Sequence, residues 1–180
     1  RWGIRALGDC ATAPLDARVL MKAATGLDDA GLIISERERL SPPTQRRFAA
    51  MIARRAAREP VAHIVGVREF WSLPIAVRPG ILVPRPDSET LIETVLERRD
   101  ADGPWRVLDL GCGSGALLCA LLSSMRKATG VGIDISEDAA KLTADNLVRL
   151  GLATRGHAVC GDWTAPIGGR FDIIISNPPY

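Results

Sequence analysis

The 180-residue sequence predicts an α/β chain: a parallel sheet with helices across its faces, preceded by a small helical domain and a β-hairpin linker. Three observations predict it. From Arg106 to Ser176 short apolar strands alternate with helical patterns, as in a parallel sheet whose crossovers are helices. A glycine-rich loop joins the first of those strands to the helix after it. Residues 1–60 instead carry their apolar positions at helical spacing.

Pro14-Leu15-Asp16 opens a helix that carries Val19, Leu20, Ala23 and Ala24 and stops at Gly26. Ser41-Pro42-Pro43-Thr44 starts another, with Phe48, Met51, Ile52 and Ala56 on one face until Pro60. The runs 61–67 and 70–77 are β-rich and predict paired strands between two domains. Pro84-Arg85-Pro86-Asp87 begins a helix that Asp87 can cap, striped by Leu91, Ile92, Val95 and Leu96. Strands are then expected at 106–110, 130–135, 158–161 and 171–176, and helices at 116–124 and 137–150. The domains read as 1–60 helical, 61–83 hairpin linker and 84–180 sheet.

Hydrophobic content of 47% with 24% charged residues excludes a disordered chain. No apolar run approaches the roughly 18 residues of a bilayer span, so a soluble, cytoplasmic protein without membrane contact is expected. Cys10, Cys112, Cys119 and Cys160 lack paired metal spacing, and neither a disulfide framework nor a metal site is expected. Residues 1–80 hold 13 Lys+Arg against 8 Asp+Glu, and residues 81–180 hold 10 against 13. Arg46, Arg47, Arg54, Arg55 and Arg58 concentrate the positive charge; a solvated helix face is the simplest reading, and a contact surface for a ribosomal or RNA-facing partner is the alternative.

The loop Asp109-Leu110-Gly111-Cys112-Gly113-Ser114-Gly115 lets the backbone approach a ligand at a helix N-terminus. Asp134 ends the second strand, 19 residues after Gly115, where a carboxylate can bind a ribose hydroxyl pair or cap the next helix. The loop satisfies the looser dinucleotide pattern, so NAD and S-adenosyl-L-methionine stay nearly even on these features. Asp109 leans towards the latter, since it could meet a cationic amino group and would repel a pyrophosphate. Asp162-Trp163 could cover an adenine, although Trp163 could equally be a core residue.

Asn177-Pro178-Pro179-Tyr180 decides the choice. Two prolines make a stiff turn without N–H groups, leaving the Asn177 side-chain oxygen and the Pro178 carbonyl to accept hydrogens from a planar –NH2. Tyr180 can lay an aromatic face against it.

The sequence resembles the release-factor glutamine methyltransferases, the HemK/PrmC family. The matching stretches are Arg58-Glu59-Pro60-Val61-Ala62-His63, Gly66-Val67-Arg68-Glu69-Phe70-Trp71, Leu82-Val83-Pro84-Arg85-Pro86-Asp87, the glycine loop, Asp162-Trp163 and Asn177-Pro178-Pro179-Tyr180. The resemblance implies a Rossmann-like class I methyltransferase sheet behind a helical domain that helps recognise a release factor. It implies methyl transfer to the side-chain amide of the glutamine in a Gly-Gly-Gln motif. Gly111, Cys112, Gly113, Ser114, Gly115, Asp134, Trp163 and Asn177 would hold S-adenosyl-L-methionine. Asn177, Pro178, Pro179 and Tyr180 would hold the substrate, with Asn177, Pro178 and Tyr180 catalytic. The family's sheet continues past this turn, so an incomplete sheet, the N-terminal part of a longer enzyme, is expected here. Direct nucleic-acid contact is not. An adenine amino-methyltransferase is the alternative activity, because an exocyclic –NH2 suits the same turn, and an inactive cofactor-binding fragment is another.

Overall fold

The computed structural model describes residues 2–8, 10–165 and 167–178, and its chain divides into two compact units, residues 1–66 and 67–180. The first unit is helical: α1 (Trp2–Ala6), α2 (Ala13–Thr25), α3 (Asp29–Ile34), α4 (Pro42–Ala56) and α5 (Val61–Val65). Helix α2 ends as expected at Gly26, whose left-handed φ of 76° lets its N–H reach Lys22 O. The Ser41 hydroxyl caps α4 by accepting from Thr44 N. Leu20, Phe48, Ile52 and Ile64 form the core. Arg55 of α4 reaches Asp16 of α2 at 2.7 Å, and Arg54 pairs with Glu59. Two of the five clustered arginines are therefore internal to this unit rather than part of a free basic face.

The run 61–67 is not a strand. Pro60 starts α5, and Gly66 ends it with φ 79° and an N–H donated to Ala62 O. Ile64 is buried in the helical core, so tertiary packing overrides the β preference of Val61, Ile64 and Val65. Residues 61–66 thus belong to the first unit, not to a linker.

The second unit opens with the antiparallel hairpin β1 (Val67–Phe70) and β2 (Leu73–Ala76). Trp71 and Ser72 make its two-residue turn with φ of 50° and 58°, both left-handed as a primed turn requires. Trp71 secures it, its backbone N–H donating to Glu89 and its indole N–H to Ser124 Oγ. Pro86–Ser88 forms a 3-10 turn, and α6 (Glu89–Arg98) follows without a side-chain cap. Asp87 does not cap the helix, because the fixed φ of Pro86 starts the turn early and places Asp87 inside it.

The sheet contains β3 (Arg106–Leu110), β4 (Thr129–Asp134), β5 (Gly156–Cys160) and β6 (Ile173–Ser176), all parallel, in the order β5-β4-β3-β6. Helix α7 (Ala116–Ser124) connects β3 to β4, and α8 (Glu137–Arg149) connects β4 to β5. Every residue of α7 from Ala116 to Leu122 is buried, as an all-apolar helix must be. The chain steps from β3 to β4 to β5 and then returns to the far side of β3 for β6. That reversal makes the carboxyl ends of β3 and β6 a topological switch point, where open α/β sheets bind ligands. Among the described residues β6 is an edge strand, with Ile173 and Ile175 buried and Ile174 62% exposed.

Candidate functional site

The glycine loop crosses the carboxyl end of β3 with φ of 70°, 56° and 73° at Gly111, Gly113 and Gly115. Three neighbours fix it. Gly111 N and Cys112 N both donate to Ile133 O of β4, at 2.8 and 2.9 Å. The Thr143 hydroxyl of α8 donates to Gly113 O at 3.1 Å. Asn146, fully buried on α8, donates to Ser114 O at 2.8 Å and closes a pair of bonds with the backbone of Ala76 in β2. Such a loop needs little further ordering to bind. At Gly115 a Cβ would lie 2.7 Å from Thr143 Cγ2 in a left-handed conformation. Gly115→Ala is expected to cost about 1–3 kcal/mol of stability, measured by urea unfolding, from overpacking and backbone strain together.

Asp134 stands at the end of β4, as expected. Its Oδ2 accepts from Gly113 N and its Oδ1 from Ser136 N, both at 2.9 Å. Each oxygen keeps a second acceptor site for a hydroxyl. The cap of α8 is Ser136, whose hydroxyl accepts from Ala139 N, so Asp134 is tied to the loop instead. Beside it Ile135 is 76% exposed, an apolar surface at a strand end.

Cys112 and Ser114 turn their side chains inward, and burial pushes the Cys112 thiol up to about 12. Their contact with a ligand would be through backbone. Asp109 differs more from expectation. It is 1% exposed beneath the loop, and neither carboxylate oxygen accepts a hydrogen bond among the described residues. Burial raises its carboxyl to about 7; Asp134 adds to this, and the Leu118 amide offsets part of it without meeting hydrogen-bond geometry. At that burial the carboxylate offers no surface for direct contact with a cationic group.

Trp163 is 62% exposed with φ 46°, which excludes the core reading. Its segment begins at Gly161, whose N–H donates to Asp134 O at 2.9 Å.

On the other side of β3, Leu110 and Ser176 are register partners, and the Ser176 hydroxyl donates to Leu110 O at 2.9 Å. Asn177 therefore follows a residue bonded to the one that precedes the glycine loop. Its Nδ2 donates to Ser88 Oγ at 2.9 Å, leaving Oδ1 to accept. Asn177, Pro178 and Ser176 face Arg85, Ser88 and Leu91 across a cleft of about 620 Å3. Pro179 and Tyr180 lie outside the described residues. Among the described residues no His, Cys, Asp or Glu cluster could hold a metal ion.

Gly111–Gly115, Asp134 and Asn177 are thus brought to adjacent strand ends. Sequence reasoning missed Ser88, Asn146 and Ile135. For Ile135 the signal was present, as an apolar residue straight after a strand-ending acid; Ser88 and Asn146 act on partners far away in sequence.

The PrmC N-terminal domain matches residues 1–66, and the methyltransferase small domain matches residues 86–180. Proteins named release factor glutamine methyltransferase are similar over nearly the whole chain. That of Bradyrhizobium diazoefficiens is 47% identical over 93% of this chain and 58% of its own length. Those of Agrobacterium fabrum and Escherichia coli are 42% and 38% identical, each over 92% of this chain and 59% of their own. The chain accordingly spans a little under three fifths of the length of these relatives. It belongs to the methyltransferase small domain family, with a PrmC N-terminal domain before that domain in sequence.

Proposed function

We propose that the protein transfers a methyl group from S-adenosyl-L-methionine to the side-chain amide nitrogen of the glutamine in the Gly-Gly-Gln motif of peptide chain release factors. The observation that carries this reading is the Asn177 carboxamide. It stands at the switch point beside the glycine loop, with Nδ2 engaged and Oδ1 left to accept.

The residues present fit the cofactor. Gly111 leaves open space where a side chain would stand, a Cβ at Gly113 would meet only Ile81 at 3.8 Å, Asp134 has acceptor capacity for two hydroxyls, and Ile135 and Trp163 expose apolar faces. The unpartnered Asp109 carboxylate favours a cation above it. The cofactor, when bound, supplies an activated methyl on a sulfonium.

An amide nitrogen is a poor nucleophile because its lone pair is delocalised into the carbonyl. Asn177 Oδ1 and the Pro178 carbonyl would each accept one of its hydrogens. Charge building on that nitrogen is thereby favoured, and the nitrogen is held in one direction. Pro179 and Tyr180 would complete the substrate turn. The proton leaves late, to solvent or to the turn. The helical first unit, residues 1–66, would take part in recognising the release factor, a cytoplasmic partner. Among the described residues no helix is long and apolar enough to cross a membrane.

Calorimetry with the cofactor tests the binding half. Asp134→Ala is expected to weaken S-adenosyl-L-methionine at least tenfold, about 1.4 kcal/mol. Unchanged affinity would remove Asp134 from the site, and binding of NAD in its place would end the methyltransferase reading. Transfer is tested by offering a Gly-Gly-Gln domain and an adenine-containing oligonucleotide side by side, with methylation expected only on the protein.

A further inference from the structure

Ser88 is the N-cap residue of α6, yet its hydroxyl makes no capping bond. A serine in that position ordinarily accepts from a backbone N–H two or three residues on. Here the hydroxyl accepts instead from Asn177 Nδ2, 89 positions later in the chain. Its backbone is held independently, with Ser88 N donating to Arg85 O at 3.0 Å and the Thr90 hydroxyl donating to Asp87 O at 2.7 Å. The Cα of Ser88 is therefore held by a turn whose bonds do not involve Asn177.

A carboxamide has two opposite ends on one flat group. Turned one way Asn177 offers an acceptor to the cleft; turned the other way it offers two N–H donors. An –NH2 substrate needs the first, and two donors facing each other would repel it. Nothing in asparagine itself chooses between them, and a serine hydroxyl can meet either end, as acceptor or as donor; here it accepts from Nδ2. We propose that Ser88 makes the choice: by accepting from Nδ2, it holds Oδ1 towards the cleft and selects a carboxamide over a carboxylate there. Ser88 is thus a positioning residue, acting through Asn177. The kinetic consequences rest on the proposed glutamine transfer; the orientation of Asn177 does not.

Ser88→Ala and Ser88→Thr, made in the intact protein, separate the two. Ser88→Ala is expected to lower kcat on a Gly-Gly-Gln peptide about tenfold, with KM and cofactor affinity within about threefold. Inhibition by the matching Gly-Gly-Glu peptide should tighten, because Nδ2 can now face its carboxylate. Ser88→Thr keeps the hydroxyl and should stay within about threefold of wild type. In an Asn177→Ala background, Ser88→Ala should cost nothing further. A Ser88→Thr variant as slow as Ser88→Ala, unchanged inhibition by the glutamate peptide, or a full Ser88→Ala loss in the Asn177→Ala background would each overturn the proposal.

The substrate-independent arm is the side-chain 15NH2 signal of Asn177, identified by its loss in Asn177→Ala. Its solvent exchange is expected to be slow in wild type and Ser88→Thr and faster in Ser88→Ala. Equal exchange in wild type and Ser88→Ala overturns the positioning role whatever the reaction. A wild-type protein that leaves the glutamine peptide unmethylated while showing the exchange difference would instead sink only the functional reading.

Discussion

Replacing Asn177 by alanine is expected to lower methyl transfer to the release-factor glutamine by two orders of magnitude or more. The variant loses one of two acceptors for the amide hydrogens, and one well-placed transition-state hydrogen bond is worth about 2.7–4 kcal/mol. The glycine loop and Asp134 are fixed by Ile133, Thr143, Asn146 and Ser136, none of which touches Asn177. Cofactor affinity should change less than the rate, since most of the expected cofactor contacts lie elsewhere. Asn177→Asp keeps the shape but adds a charge, and it should be at least as slow. Single-turnover rates for Asn177→Ala within about threefold of wild type, less than 1 kcal/mol, would show that Asn177 is not the amide clamp.

Asp109→Asn is expected to have the second largest effect, and its sign depends on pH. Burial raises the folded carboxyl from 3.8 to about 7. Below about pH 4 the folded and unfolded chains both hold the proton, and the group contributes nothing. Between about pH 4 and 7 only the folded chain holds it, so wild-type stability falls as pH rises. Above about 7 the loss is complete, at roughly 4 kcal/mol for a shift of about three units. Asparagine cannot titrate. The stability of Asp109→Asn relative to wild type should then increase by up to that amount between about pH 4 and 8, read by urea unfolding. Cofactor affinity should move the other way. A cation is held better by the ionised carboxylate, so wild-type affinity should rise with pH through about 7, while that of Asp109→Asn stays flat. Parallel pH profiles for the two proteins would dismiss Asp109 from both roles.

Local signals were legible and distant partnerships were not. The alternation from Arg106 to Ser176 marked every strand of the sheet among the described residues within two residues, because each is a short apolar run set off by glycines or turn residues. Gly111, Gly113 and Gly115 all take left-handed conformations, which glycine adopts without a Cβ clash. The run 61–67 was misread because its β-branched residues were weighed without Pro60 and Gly66, which bracket a single buried helical turn. Trp163 could not be assigned by residue type, since tryptophan serves a core and an aromatic lid equally well, and only its exposure decides. Ser88 and Asn146 were invisible for another reason. Their partners lie 89 and 70 positions away, and no local pattern encodes which strand end a hydroxyl or a carboxamide will meet. The burial of Asp109 likewise follows from how the loop folds over β3, not from its place before the glycines.

The most direct measurement is fragmentation mass spectrometry of a release factor treated with the intact protein and S-adenosyl-L-methionine. The expected result is one methyl group on the side-chain nitrogen of the Gly-Gly-Gln glutamine, absent when Asn177→Ala is used for the same time. A methyl group on an adenine of an added oligonucleotide instead, or an unmodified glutamine despite measurable cofactor binding, would contradict the account.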